Sequence, residues 1–243
     1  MPPEQQVPSR SRLIVALDTS DGAEALRLVA ALRGRVGIFK IGLQLFGAEG
    51  PSIVRRIVEG GEQVFLDLKI HDIPNTAAHA VGEAIRMGAA FTDLHVAGGA
   101  AMLRAAVEEA RRAASPDGSS RTRLLGVTML TSMDAATARS VGFHGEMPEL
   151  AVRLARLAQE CGLDGVVASA HEVAAIRSAC GESFVIFVPG IRPRGAAAGD
   201  QKRAATPAEA VRAGADYLVV GRPITGSGDP AAAAEAIIAE IGG

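Results

Sequence analysis

The segment Phe65-Leu66-Asp67-Leu68-Lys69-Ile70-His71-Asp72-Ile73-Pro74-Asn75-Thr76 sets two acids and an ammonium close together. Read as a strand, it alternates with period two, so Val64, Leu66, Leu68 and Ile70 share one face while Phe65, Asp67 and Lys69 share the other. If the apolar face lies against a covering layer, the acid and the ammonium are enclosed, where leaving either unpaired is costly. A buried Asp and Lys side by side are suited to proton transfer and to charge stabilisation. Taken alone, the segment also fits a half-exposed antiparallel strand with a surface ion pair.

Lysine is scarce in this chain. Of 25 basic residues only Lys40, Lys69 and Lys202 are lysines, and the remainder are arginines. An ammonium differs from a guanidinium in being compact and able to give up its proton. Two of the three lysines fall on expected strands, although a biased composition would also leave a few survivors.

The elements that must position these residues alternate strand and helix along the whole chain. Strands are expected at residues 12–18, 37–43, 63–69, 91–96, 123–130, 165–169, 184–189 and 217–221. Helices are expected at 21–33 (capped by Asp21), 49–59, 76–87, 99–113, 147–161, 171–180, 207–213 and 230–241. Eight β/α units of this size predict an α/β fold, a closed (β/α)8 TIM barrel in a single domain, whose site lies at the carboxyl ends of the strands. An open doubly wound sheet is the alternative, but no GxGxxG follows the first strand. Residues 1–12, rich in Pro, Gln, Ser and Arg, read as a disordered tail, leaving 13–243 as the barrel domain.

Composition narrows the class. With 243 residues and 48% hydrophobic content, the chain can bury a large core. A net charge of −2 gives no basic surface for nucleic acid or an anionic membrane. Two cysteines, Cys161 and Cys180, and no long apolar run point to a soluble protein of the cytoplasm.

On the expected barrel, Asp18 ends the first strand, Lys40 lies on the second, Asp67 and Lys69 end the third, and Asp93 and His95 lie toward the end of the fourth. Barrel layers are normally filled by branched aliphatics, so charge delivered to one end by four adjacent strands points to a functional cluster. His95 fits a hydrogen-bonded packing residue better than a catalytic one. The other half of the barrel reads as an anion site. Pro189-Gly190-Ile191-Arg192-Pro193 closes the seventh strand and Val219-Val220-Gly221-Arg222-Pro223 the eighth, where barrels of this kind commonly bind phosphate. Gly221 lets backbone N–H groups approach an anion and Arg222 adds a bidentate cation. The polar stretch from Arg194 to Ala205, with Gln201 and Lys202, is long enough to fold over a ligand or to be an idle exposed loop.

Six segments in this order, Phe39-Lys40-Ile41-Gly42, Asp67-x-Lys69-x-x-Asp72, Leu130-Thr131-Ser132-Met133, Pro189 to Pro193, Asp200-Gln201-Lys202-Arg203 and Val220-Gly221-Arg222-Pro223, resemble the bacterial orotidine 5′-phosphate decarboxylases. The resemblance runs from about Leu13 to Ile241, and departs from the family pattern in the Gly-Ala-rich run Arg194 to Gly199. It implies conversion of orotidine 5′-monophosphate to UMP and CO2 in de novo pyrimidine synthesis, without cofactor or metal. It further implies that Lys69 donates the proton and that Asp18, Lys40, Asp67 and Asp72 form a charged network with the ribose. Ile73, Thr76, Thr131, Pro189, Arg192, Gln201, Gly221 and Arg222 then correspond to ligand-binding positions. A homodimer is implied too, with Asp72 and Thr76 reaching the neighbouring subunit's site.

Two other readings fit parts of the pattern. A Mg²⁺-dependent sugar-phosphate decarboxylase or aldolase of the same superfamily would use Asp67 and Asp72 to hold metal, but a lysine at position 40 opposes a bound dication. A non-catalytic barrel binding a phosphorylated ligand would need the anion site and no Asp-Lys-Asp array.

Overall fold

A computed structural model of the protein describes residues 8–114, 121–193 and 205–242. Eight parallel strands close into a barrel in the order β1 to β8: β1 (Leu13–Ala16), β2 (Ile38–Gly42), β3 (Val64–Ile70), β4 (Phe91–His95), β5 (Arg123–Val127), β6 (Gly165–Val167), β7 (Val185–Pro189) and β8 (Tyr217–Val220). Closure is made by β1 against β8, with Leu13 opposite Leu218, Ile14 opposite Val219 and Val15 opposite Val220. The expected TIM barrel is therefore present, and each expected strand overlaps an observed one.

The described helices are α1 (Ser9–Arg12), α2 (Gly22–Leu32), α3 (Leu43–Glu49), α4 (Pro51–Glu59), α5 (Pro74–Arg86), α6 (Gly99–Ala113), α7 (Ala135–Ser140), α8 (Met147–Glu160), α9 (Val173–Cys180), α10 (Pro207–Arg212), α11 (Arg222–Thr225) and α12 (Pro230–Gly242). Asp21 caps α2 by accepting from the N–H groups of Ala23 and Glu24, as its position before an amphipathic run predicts. Thr206 and Glu209 form a reciprocal capping box at the start of α10. The tail expected over residues 1–12 lies outside the described residues up to position 7. Its last four residues form α1, where Arg12 donates to the carbonyl of Ala215 at the base of β8. None of the described helices is long and apolar enough to cross a membrane.

Alternation along the strands produces two cores. Outward side chains such as Leu13, Val15, Phe39, Ile41, Leu66 and Leu94 pack with the helix faces into the larger core. Inward side chains, among them Ile14, Ile38, Phe65, Phe91 and Phe187, fill the barrel itself. The filling is unusually aromatic. Phe187 meets Phe65 edge-on at 5.3 Å between centroids, Phe91 at 4.9 Å and Tyr217 at 4.6 Å. Arg123 covers this plug from the amino end, its guanidinium 4.1 Å from the centre of the Phe91 ring. Among the described residues, these side chains fill the interior of the barrel.

Candidate active site

Above the aromatic plug the inward positions become charged. Two residues beyond Ile38 on β2 stands Lys40, two beyond Phe65 on β3 stands Asp67, and two beyond Phe91 on β4 stands Asp93. Burial is deep, with Lys40 8%, Asp67 9% and Asp93 0% exposed. These residues share the enclosed face that period-two alternation predicts.

Asp67 sits between two ammoniums. Its Oδ2 lies 3.3 Å from Lys40 Nζ, its Oδ1 pairs with Lys69 Nζ, and Lys40 Nζ also donates to Asp18 Oδ1 at 3.1 Å. Burial alone would raise the Asp67 pKa, but the charges of Lys40 and Lys69 outweigh it and hold the carboxyl below the usual carboxylate range. For Lys40 burial acts downward, and Asp67 and Asp18 outweigh it, so the ammonium is held above the ordinary lysine value. The result is a fixed chain of alternating charge: Asp18, Lys40, Asp67, Lys69. Glycine at position 42 leaves room for it, since a Cβ there would lie 3.0 Å from Lys40 Nζ.

Lys69 reaches this chain through a distorted backbone. Leu66 pairs with Thr92 and Ile70 with Leu94, so four steps along β3 match two along β4 and the strand bulges between them. Within the bulge Lys69 has φ 50°, the only described non-glycine residue with positive φ. An L-residue in that region costs roughly 1–2 kcal/mol, and strain of this kind persists where surrounding contacts enforce it.

His95 stacks beside His71, with ring centroids 5.4 Å apart. Burial lowers its pKa, with the nearby charges of His71 and Lys69 acting in the same direction against that of Asp67, which favours the neutral ring.

Across the mouth, the ends of β7 and β8 bring two guanidiniums together. Arg192 donates to the carbonyl of Ile191 at 2.9 Å, and its pKa is lowered, first by burial and then by the charge of Arg222. Two cations that repel one another beside a pocket favour an anion between them. Gly221 lines the same wall, where a Cβ would lie 3.4 Å from Asp18 Oδ2.

Both halves face one pocket of about 410 Å³, large enough for a nucleotide-sized ligand. Of the residues singled out from sequence, Asp18, Lys40, Asp67, Lys69, Thr131, Pro189, Arg192, Gly221 and Arg222 line it. Asp72, Ile73 and Thr76 do not. They follow β3 on the exposed rim of the barrel, and Asp72 Oδ1 accepts from the N–H of Ile73 instead. Gln201 and Lys202, with the rest of residues 194–204, lie outside the described residues. Sequence reasoning missed Gln44, which enters the pocket from α3 and donates to Ser20 Oγ at 3.1 Å. Position two past the end of β2 was its one available signal.

A closed (β/α)8 barrel with a buried ionic array facing an arginine pair across a pocket at the carboxyl ends of its strands has the architecture in which barrel enzymes carry their sites. Residues 11–237 match the family model described as orotidine 5′-phosphate decarboxylase / HUMPS family. The chain belongs to that family. It is 53% identical over 230 residues to the orotidine 5′-phosphate decarboxylase of Anaeromyxobacter dehalogenans, covering 95% of this chain and 98% of that protein. Identity to the orotidine 5′-phosphate decarboxylase of Moorella thermoacetica is 50% over 234 residues, covering 96% and 93% of the two chains. The crystal structure of orotidine 5′-phosphate decarboxylase from Lactobacillus acidophilus superposes with a TM-score of 0.84 at 35% identity, over 95% of this chain and 99% of that one.

Proposed function

We infer that the protein is an orotidine 5′-phosphate decarboxylase, converting orotidine 5′-monophosphate to UMP and CO2. The observation that carries this reading is the Asp67 carboxylate held between the Lys40 and Lys69 ammoniums at the mouth of a barrel whose opposite wall presents two arginines. In the reaction the bond from the pyrimidine ring to its carboxylate breaks and CO2 leaves. The electron pair stays on the ring carbon, where no neighbouring π-system can absorb it. Fixed positive charge must therefore stand at that carbon. Lys69 supplies it and then transfers an Nζ proton to the carbon, forming the C–H bond of UMP and regaining a proton from solvent. A guanidinium in the same place would stabilise charge but rarely release a proton.

The remaining roles are assigned from the pocket lining together with the sequence resemblance. Asp67 fixes both ammoniums before substrate arrives, which limits reorganisation during reaction. Asp18 and Lys40 meet the ribose. Arg192, Arg222 and Gly221 take the phosphate, and that remote binding energy orients the ring over Lys69. Thr131 and Pro189 line the pocket and are assigned to the ligand on sequence resemblance. Gln201 is assigned to the ligand on sequence resemblance. The metal-dependent alternative is disfavoured by Lys40, whose ammonium occupies the side of Asp67 that a dication would need.

We also propose a cytoplasmic homodimer with shared sites. Asp72, Ile73 and Thr76 are exposed and away from their own pocket, and Ile73 at 66% and Leu43 at 63% exposure put apolar surface on the ends of adjacent strands. A two-fold partner would cover this rim and receive Asp72 and Thr76 into its own site.

The test of the activity is the fall in absorbance of orotidine 5′-monophosphate on adding purified protein in excess EDTA. Turnover in EDTA is expected. No turnover there, with activity restored by Mg²⁺, overturns the reading in favour of the metal-dependent one, and no turnover in either condition favours a binding barrel.

A further inference from the structure

The bulge in β3 removes Lys69 from the ladder that joins β3 to β4, and its backbone N–H needs another acceptor. Side chains of β4 replace the lost ladder. Thr92 Oγ1 donates to the carbonyl of Leu66 at 3.0 Å, and the N–H of Lys69 donates to Asp93 Oδ1 at 2.9 Å. Asp93 is fully buried, and its second oxygen, Oδ2, has no hydrogen-bond donor among the described residues. The Asp93 side chain interacts with the Asp67 carboxylate. Two ionised carboxylates in that enclosure would repel, whereas a proton on Asp93 turns the contact into a hydrogen bond donated to Asp67.

We propose that Asp93 is a positioning residue for the proton donor: one atom of its side chain accepts from the Lys69 backbone and holds its left-handed conformation, and the other donates to Asp67, so that the Lys69 ammonium and its partner carboxylate are fixed by a single group. Burial and the charge of Asp67 both favour the protonated form this arrangement needs. The proposal rests on the decarboxylase reading for its kinetic consequence but not for its structural one. Asp93 lies behind the Asp67–Lys69 pair and is absent from the pocket lining, so it acts through them and not on the substrate.

Asparagine is the faithful mimic, because its amide places a carbonyl acceptor and an N–H donor where a protonated Asp places its C=O and O–H. In Asp93→Ala we expect kcat to fall about 100-fold, the effect of misplacing a catalytic group by about an ångström, with KM within roughly threefold. In Asp93→Asn we expect kcat to stay within about tenfold of the parent. A readout free of substrate comes from ¹⁵N-lysine labelling. The chain has only three lysines, so the amide of Lys69 is assigned by comparison with Lys40→Arg and Lys202→Arg. Its hydrogen exchange is expected to accelerate about tenfold or more in Asp93→Ala and to remain slow in Asp93→Asn. Unchanged exchange or unchanged kcat in Asp93→Ala overturns the proposal, as does an asparagine variant as impaired as the alanine one. If circular dichroism shows Asp93→Ala unfolded, the near-isosteric Asp93→Leu replaces it, and a fast-exchanging Lys69 amide in Asp93→Asn still refutes the role. Wild-type protein inert toward orotidine 5′-monophosphate would sink the functional reading while the exchange experiment continued to decide this one.

Discussion

At the scale of single residues, the site is governed by which groups are charged and what stands beside them. Lys69→Ala removes the proton donor and one of the two cations that balance Asp67, so kcat is expected to fall by more than about 100-fold while the circular dichroism spectrum is preserved. Steady-state assay with orotidine 5′-monophosphate checks this. Arg222→Ala acts at the far end of the ligand. It should raise KM strongly for the phosphorylated substrate and affect unphosphorylated orotidine far less, and equal losses on the two would remove Arg222 from the phosphate site. Asp93 makes a prediction about stability. Its folded pKa is raised by burial and by Asp67, so its contribution is fully present below the ordinary carboxylate value and is lost as pH rises through the raised one. Asparagine cannot ionise. The Tm of Asp93→Asn relative to wild type should therefore climb as pH rises above the ordinary carboxylate value toward the raised one, and a difference flat with pH would show Asp93 ionised in the fold. Asp67 has the opposite sign: its lowered pKa gives stability that is present above the ordinary value and lost in acid.

Elements decide how those residues meet. Asp21→Ala, which deprives two N–H groups of α2 of their acceptor, is expected to cost about 1 kcal/mol and lower Tm by about 2–4 °C without changing KM. A larger drop in a thermal melt would mean that Asp21 does more than cap. That cap was legible in sequence, as were the eight strands and the face of β3 that carries Asp67 and Lys69, because each follows from a local pattern of polarity. Helix α3 was not. It begins directly after Gly42, with no side-chain cap to announce it, and so Gln44 went unnoticed. The bulge was equally hidden, since it is a mismatch between β3 and β4 and has no signature in β3 alone. Asp93 was placed at a strand end from sequence, but its function depends on a backbone conformation twenty-four positions away. Asp72, Ile73 and Thr76 were read from resemblance as ligand positions, and a single chain leaves them outside its own pocket.

At the scale of the whole molecule, the shared-site dimer has a sharp test. If Asp72 serves the partner's site, mixing Lys69→Ala with Asp72→Asn and allowing exchange creates heterodimers in which one site carries both lesions and the other neither. With random pairing, activity should return to roughly a quarter of wild type, provided each parent is nearly inactive. A mixture verified as exchanged by native mass spectrometry yet no more active than its parents would place Asp72 within its own chain. The seam of the barrel bears on how such a chain comes into being. Because β1 hydrogen-bonds β8, the first strand must wait for the last, across the 205 positions that separate Leu13 from Leu218. At ribosomal speeds that interval is about 10–40 s, during which β1 has one edge without a neighbour. Asp18 just past β1 and Arg222 just past β8 belong to the two sides of that seam. Catalytic competence is therefore withheld from the nascent polypeptide until β8 has emerged, and chains truncated before β8 should be inert and prone to aggregate.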